Sequence, residues 1–398
     1  MTNYEFENMK NSLEKKKKIE MSDEDINIKY ESGEQRIITE QGSYKLNLIN
    51  SIFSSDRFIL QPKFQRRITW DTKKRSKLIE SFIMNIPVPP VFLYEEDFST
   101  YVVMDGLQRI SAIMDFYNDY YSLVGLEEWP ELNGKKYSEL PQKIKEGIDR
   151  RQLSAITLLK ESTGDINSAD KMKKIIFERL NTGGIQLEDQ EIRNALYQGP
   201  FNDCCIELSE NATFKKLWKL DGVTGNTAVN SFDLDEENNL MAAKNKMIRR
   251  MYNVELVLRY FAMRTIASFN GNLSGYLDMY LDHANKYTKE QIIILSDEFK
   301  KAISSSYDLF GTNAFCIYRK DKGWSQPQNM IYDVMLISLS DERVKNHKGK
   351  YSVDENSNLL HTFYLGNENI FNGRKQTRKD ILERVELMTK FLMNITTR

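Results

Sequence analysis

The stretch FQRRITWDTKKRSKLIESFIMNIPVPPVFLYEEDFSTYVVMDGLQRISAI, Phe64 to Ile113, decides how the first half of the chain folds. Asp71 or Thr72 can cap a helix whose apolar residues Leu78, Ile79, Phe82 and Ile83 recur at helical spacing, and Pro87, Pro89 and Pro90 forbid its continuation. Two short apolar runs follow, Val91 to Tyr94 and Tyr101 to Met104, around the polar tip EEDFST; both read as buried strands. From Gln108 onward Ile110, Ile113, Met114 and Tyr117 return to helical spacing, so DGLQR, Asp105 to Arg109, occupies a strand-to-helix turn. Such a turn directs backbone N–H groups and the positive end of a helix dipole outward, which suits an anion.

Working outward, QRIITEQGSYKL reads as a strand and turn, LNLINSIF as a short helix and RFILQP as a strand leading into the central stretch. Downstream, an insert from Tyr120 to Tyr137 carries Trp129 and the Asn133-Gly134 turn signal; a helix from about Pro141 to Arg150 and the strand QLSAITLL follow. Met172, Ile175, Ile176 and Leu180 form a helical stripe ending at Asn181-Thr182-Gly183-Gly184, and another helix carries EIRNAL before Gly199-Pro200. Beyond it, the segments around 205–220, 240–268, 276–308, 326–340 and 376–396 are helical in period with few strand signals. The expected plan is α+β: a charged N-terminal segment over 1–40, a mixed domain over 41–200 and an all-helical domain over 201–398. The run Asn245 to Ala267 reads as one amphipathic helix whose Arg249, Arg250, Arg259 and Arg264 form a solvated basic side, and Phe6, Met9 and Leu13 offer a thin apolar stripe for a frayed or partner-docked N-terminal helix.

Composition narrows the function classes. A chain of 398 residues that is 40% hydrophobic can bury a sizeable core, no apolar run approaches the roughly 20 residues that span a bilayer, and the N-terminus lacks the apolar region of a signal peptide, so the expected setting is the cytoplasm. Cys204, Cys205 and Cys316 are too few for a disulfide framework and read as reduced thiols. His283, His347 and His361 are isolated, with no HExxH cluster for zinc, and neither GxxxxGK[ST] nor GxSxG is present. The formal net charge of -1 supplies no global pull towards nucleic acid.

Three places could carry chemistry. In DGLQR, Gly106 permits close backbone approach and Gln108 and Arg109 supply donors for phosphate or carboxylate oxygens. Asp105 cannot sit against a phosphate unaided: it holds a metal, orients a water or caps the helix. In QRR, alternation sends Arg66 and Arg67 to opposite faces of a strand, so one of them faces the turn, and the motif context of Gln65 and Arg66 points to Arg66; stacking on Trp70 or Tyr94 is the structural alternative. In FERLNTGG, Phe177 to Gly184, Glu178 and Arg179 close a helix before a polar loop. If that loop faces DGLQR, Asn181 and Thr182 can bind ribose or phosphate and Glu178 can hold a metal or activate water; otherwise it is a helix C-cap.

Taken in order, FQRR, IPVPP, MDGLQRISAI, FERLNTGG and EIRNAL resemble the GmrSD-type restriction-system N-terminal domain, a family related to the ParB/sulfiredoxin fold, over about residues 40 to 200. GLQRISA is similar to the GxxRxxA phosphate-binding motif of ParB-like proteins. The resemblance implies a ParB-like fold and a site for a nucleoside triphosphate with magnesium, centred on Asp105, Gly106, Gln108 and Arg109. Asp105, Glu178 and Arg109 are then the catalytic candidates, Asp105 the metal ligand, and Gln65, Arg66, Arg179, Asn181 and Thr182 further nucleotide contacts. Two departures stand out: Leu107 replaces the first Gln of the family's commonest DGQQR turn, and residues 201–398 lack the histidine-rich motif of fused nuclease domains. The expectation is therefore a nucleotide-binding, NTP-hydrolysing regulatory subunit of a prokaryotic defence system, working with a separate nuclease or toxin subunit and able to oligomerise. The competing readings are a protein that binds or cleaves DNA through the same arginines, and an interaction scaffold with an inactive pocket.

Overall fold

The computed structural model describes residues 4–7, 22–31, 38–60, 70–159, 175–176, 188–223, 236–266, 272–344, 348–371 and 377–397. The chain divides into two compact units, one of Lys16–Glu188 with Asn194–Leu196, the other of Met1–Lys15, Asp189–Arg193 and Tyr197–Arg398. The first is mixed α+β and the second helical, as the hydrophobic periods predict.

In the mixed unit an exposed acidic helix, α1 (Asp23–Glu31), precedes a five-stranded sheet in the order β1-β5-β3-β4-β2. Its strands are β1 (Thr39–Lys45), β2 (Phe58–Ile59), β3 (Val91–Asp97), β4 (Thr100–Asp105) and β5 (Gln152–Leu158). β3 lies at the centre, antiparallel to β4 and parallel to β5; β1 runs antiparallel to β5 and β2 parallel to β4. The polar tip is narrower than its composition suggests, because pairing continues to Asp97↔Thr100 and only Phe98 and Ser99 turn. Val102, Val103 and Met104 are all buried, so both faces of β4 are covered.

Helices α2 (Ile49–Phe53), α3 (Thr72–Ile83), α4 (Leu107–Tyr117) and α5 (Gln142–Asp149) share one core with the sheet, built on Ile79, Val91, Leu93, Ile110, Ile113, Phe116, Ile148 and Leu153. The α3 start falls where its capping residue requires: Asp71 accepts a hydrogen bond from Lys74 N at 2.7 Å. α3 also buries two polar residues that the apolar stripe does not announce. Ser76 Oγ accepts from Val124 N at 2.9 Å, and the Glu80 carboxylate accepts from Glu128 N at 2.9 Å and Trp129 N at 3.1 Å. These bonds strap the irregular insert onto the helix and satisfy backbone N–H groups that would otherwise be buried unpaired.

The helical unit contains α6 (Asp189–Leu196) through Arg193, then α7 (Pro200–Leu208), α8 (Ala212–Leu217), α9 (Glu236–Arg249), α10 (Tyr252–Arg264), α11 (Leu273–Ala284), α12 (Lys289–Phe310), α13 (Asn329–Leu339), α14 (Val353–Gly366) and α15 (Arg378–Ile395). Two-residue strand pairs, Tyr318–Arg319 with Gly323–Trp324 and Lys348–Gly349 with Thr396–Thr397, are its only sheet among the described residues. The run read as one amphipathic helix breaks at Met251, where φ is +57°, into α9 and α10. Its basic side is not uniformly solvated. Arg259 makes a two-pronged pair with Asp333, at 2.7 and 2.8 Å from Nε, and Arg264 is buried beside Glu7. Arg250 pairs with Glu191 at 3.0 Å. The partners come from distant segments, and amphipathic spacing alone cannot reveal them.

Candidate functional site

Asp105 is the last residue of β4 and faces Phe92, next to a register shift between Phe92 and Leu93 that locally re-aims the strand. Gly106 follows with φ +98° and ψ 7°, and α4 starts at Leu107. A Cβ at Gly106 would stand 2.4 Å from Val91 Cγ1 and 3.1 Å from Arg109 Nη2, so this position demands glycine on both conformation and space. Val91 takes most of that space, and Arg109 closes its edge. Its Nη2 donates to Asp105 Oδ2 at 2.7 Å and to the Pro90 carbonyl at 3.1 Å, which folds the guanidinium back across the turn.

The pair is asymmetric in exposure: the Arg109 side chain is 14% exposed and that of Asp105 is 49% exposed. Arg109 Nε is buried with no hydrogen-bond partner among the described residues, leaving a cation with one unused donor next to a carboxylate that reaches solvent. Among the described residues Asp105 makes no capping bond to α4: the N-cap is Gly106, which has no side chain to offer, and the Ile110 N–H closes the first turn on the Gly106 carbonyl at 3.0 Å. Of the three roles open to Asp105 in the sequence, capping is thus excluded.

Gln108 turns towards the α3 side of the unit, where its amide oxygen accepts from Trp70 N at 3.4 Å. Trp70 is fixed in turn by Arg75, which donates from Nε to the Trp70 carbonyl at 3.3 Å and pairs through Nη1 with Asp115 at 3.1 Å. Burial raises the Asp115 carboxyl above its ordinary range, and the Arg75 charge opposes that shift. Arg75 is the residue that inspection of the sequence missed: it lies four positions after the Asp71 cap, and its signal is helical spacing towards the α4 face. Leu107 is buried in the core at 8% exposure, so the departure from a Gln at this place adds packing on the inner side of the turn.

The structure therefore brings together Asp105, Gly106, Gln108 and Arg109, in one turn. Gln65, Arg66, Glu178, Arg179, Asn181 and Thr182 lie outside the described residues, as does the expected approach of Asn181 to Arg109. Among the described residues no group of three His, Cys, Asp or Glu could hold a metal ion. Cys204, Cys205 and Cys316 are free thiols, and burial pushes Cys204 up to about 11, which keeps it protonated and unreactive at neutral pH. No described helix is long and apolar enough to cross a membrane.

Residues 46–198 match the family model for the GmrSD restriction endonuclease, N-terminal domain. No curated protein and no solved structure matches the chain, so the likeness to the ParB/sulfiredoxin fold rests on the motif alone.

Proposed function

Because residues 46–198 are a GmrSD-type N-terminal domain, which makes this a restriction-system-related chain, we propose that it is a nucleotide-binding, NTP-hydrolysing regulatory subunit acting in the cytoplasm with a separate nuclease or toxin effector. The observation that carries this reading is the Asp105–Gly106–Arg109 turn, where a largely desolvated guanidinium with an unused donor sits at the start of a helix beside a half-exposed carboxylate. Arg109 and the first-turn amides of α4 supply positive potential for phosphate oxygens. In this reading Gln65, Arg66, Gln108, Arg179, Asn181 and Thr182 complete the nucleotide contacts, and Glu178 orients the attacking water.

Asp105 fits a magnesium ion in one respect. Its Oδ1 receives no hydrogen bond among the described residues, and Mg²⁺ is commonly held by one or two carboxylates with phosphate oxygens and water completing the shell. The ion, when bound with nucleotide, neutralises charge on the phosphates. Asp105 then serves to position the cation, and Arg109, released from Asp105 Oδ2, turns to the phosphates.

The test is a thermal-shift and phosphate-release series with the four common ribonucleoside triphosphates, with and without magnesium, on the wild-type chain and on Arg109→Ala and Arg109→Lys. Stabilisation and release that need magnesium, and that both variants diminish, are expected. No response to any triphosphate would remove the reading. A salt-dependent affinity for duplex DNA in its place, with log K falling as log salt rises, would instead assign the turn to a DNA backbone.

A further inference from the structure

Near the N-terminal end, residues 4–7 carry one short helical turn, Glu5–Glu7, and belong to the helical unit. Glu7 is fully buried, at 0% exposure. A carboxylate in that setting requires partners, since an isolated buried charge is prohibitive. Tyr280 OH donates to Glu7 Oε1 at 2.9 Å, and Arg264 Nη2 stands 3.4 Å from Glu7 Oε2. The Phe6 carbonyl lies 3.0 Å from His283 Nε2, and Tyr4 OH donates to Glu298 Oε1 at 3.3 Å. Phe6 meets Tyr287 edge-on at 5.1 Å and stacks on Tyr4 at 5.2 Å. The hydrogen-bonding partners are 273 to 294 positions away in sequence. The segment is thus bound as a separate peptide would be: aromatic anchors at Tyr4 and Phe6, then a carboxylate driven into a cationic socket.

The socket is incompletely filled. Arg264 is 4% exposed, flanked by the rings of Tyr4 and Tyr260 at 5.8 and 5.5 Å, yet its Nε and Nη1 have no hydrogen-bond partner among the described residues. A guanidinium presents five donors in a planar fork that a carboxylate can engage at two points, and here Glu7 meets it through one long contact.

We propose that α10, α11 and α12 form a receptor for an aromatic–acidic peptide centred on Arg264, filled in this chain by its own residues Tyr4–Glu7, and that a partner polypeptide carrying a segment of the same chemistry docks by displacing them. The partner's carboxylate engages the unused Arg264 donors, which gives it an advantage over the resident segment. The receptor is independent of the nucleotide reading and involves none of its residues.

The probe is a labelled peptide of the chain's own sequence, MTNYEFENMK, added to the full-length chain and followed by fluorescence anisotropy. The resident segment is weakened in the double variant Phe6→Ala/Glu7→Gln, with Phe6→Ala alone as a milder variant that keeps the Glu7 carboxylate; circular dichroism reports their fold. Tenfold or tighter binding to the variants than to the wild-type chain is expected, together with a tenfold loss when the peptide itself carries Glu7→Gln. Equal binding to wild type and variants, indifference to the peptide's carboxylate, or unfolding of both variants would overturn the proposal, the last because the segment would then be an indispensable part of the core.

Discussion

Arg109 reaches back four residues to Asp105, 2.7 Å from nitrogen to oxygen, across a glycine that no other residue can replace without meeting Val91. The geometry makes Asp105 the element that holds Arg109 in place and also the element that would repel an incoming phosphate. A cation between carboxylate and phosphate resolves that conflict, and magnesium dependence follows from the proposed function.

Asp105→Asn separates these effects. With one side chain half-exposed, the pair contributes only about 0–1 kcal/mol to stability, so the variant should unfold close to wild type. Titration with triphosphate should show about tenfold less enhancement by magnesium than wild type, a difference of about 1.4 kcal/mol. Equal magnesium enhancement in the two proteins, measured by calorimetry, would remove Asp105 from the cation site.

Gly106→Ala places a side chain at φ +98° and 2.4 Å from Val91 Cγ1. The combined strain and overpacking should cost about 2 kcal/mol or more in denaturant unfolding. Adding Val91→Ala removes the 2.4 Å contact but keeps the Val91 Cβ at 2.9 Å and empties a buried core position, so it should recover only part of the loss. An unchanged denaturation midpoint for Gly106→Ala would show that the turn relaxes freely.

Tyr137 gives a pH signature. Its hydroxyl donates to Asp149 at 3.0 Å, and burial first, then that bond, push its pKa up to about 12 from 10.0. The folded value lies above the unfolded one, so the contribution is fully present below pH 10 and is lost as pH rises through about 12. In Tyr137→Phe the stability should be lower near neutrality and should fall less steeply over this alkaline window. Denaturant midpoints measured at several pH values for both proteins check it; parallel curves would contradict the assignment.

Arg193 anchors a buried network in the helical unit, pairing with Asp278 at 2.8 Å and Glu255 at 2.7 Å while 2% exposed. Arg193→Met leaves both carboxylates without their cation and should cost about 3–5 kcal/mol. Neutralising them as well, with Asp278→Asn and Glu255→Gln, should restore part of the loss. If the triple variant is less stable than the single one, the penalty arises from packing and not from uncompensated charge.

The elements nearest the turn were legible because local signals agree there: the Asp71 cap, the prolines after Ile83, two β-type runs and the return to helical spacing after Gly106 all point the same way. α14 escaped notice although Ser352 and Glu355 form a reciprocal capping box at its start, because its stripe is weakened by exposed Val353, Leu359 and Leu365. The buried arginines were misread for a different reason. Spacing places Arg259 and Arg264 on a helix, but what decides their solvation is Asp333 and Glu7, carboxylates brought from remote parts of the chain. At the candidate site the same logic holds: the glycine and its helix could be read, while Val91 filling the space beside the glycine and Arg109 folding back onto the Pro90 carbonyl depended on how β3 packs against the turn.

The helix Asp189–Leu196 has a practical consequence for anyone cutting or grafting this chain. It lies within the matched stretch 46–198, yet two of the three carboxylates paired with Arg193, Glu255 and Asp278, lie outside that stretch. A fragment ended at residue 198 would leave Arg193, 2% exposed in the whole chain, with Asp189 and Gln190 but without its two shorter acid partners, and a fragment begun at 199 would hold those two acids without their arginine. Ending the upstream piece at Glu188 keeps cation and acids on one polypeptide. Exchange of residues 46–198 alone would likewise part Arg193 from Glu255 and Asp278, whereas a junction at Glu188 would leave all three together.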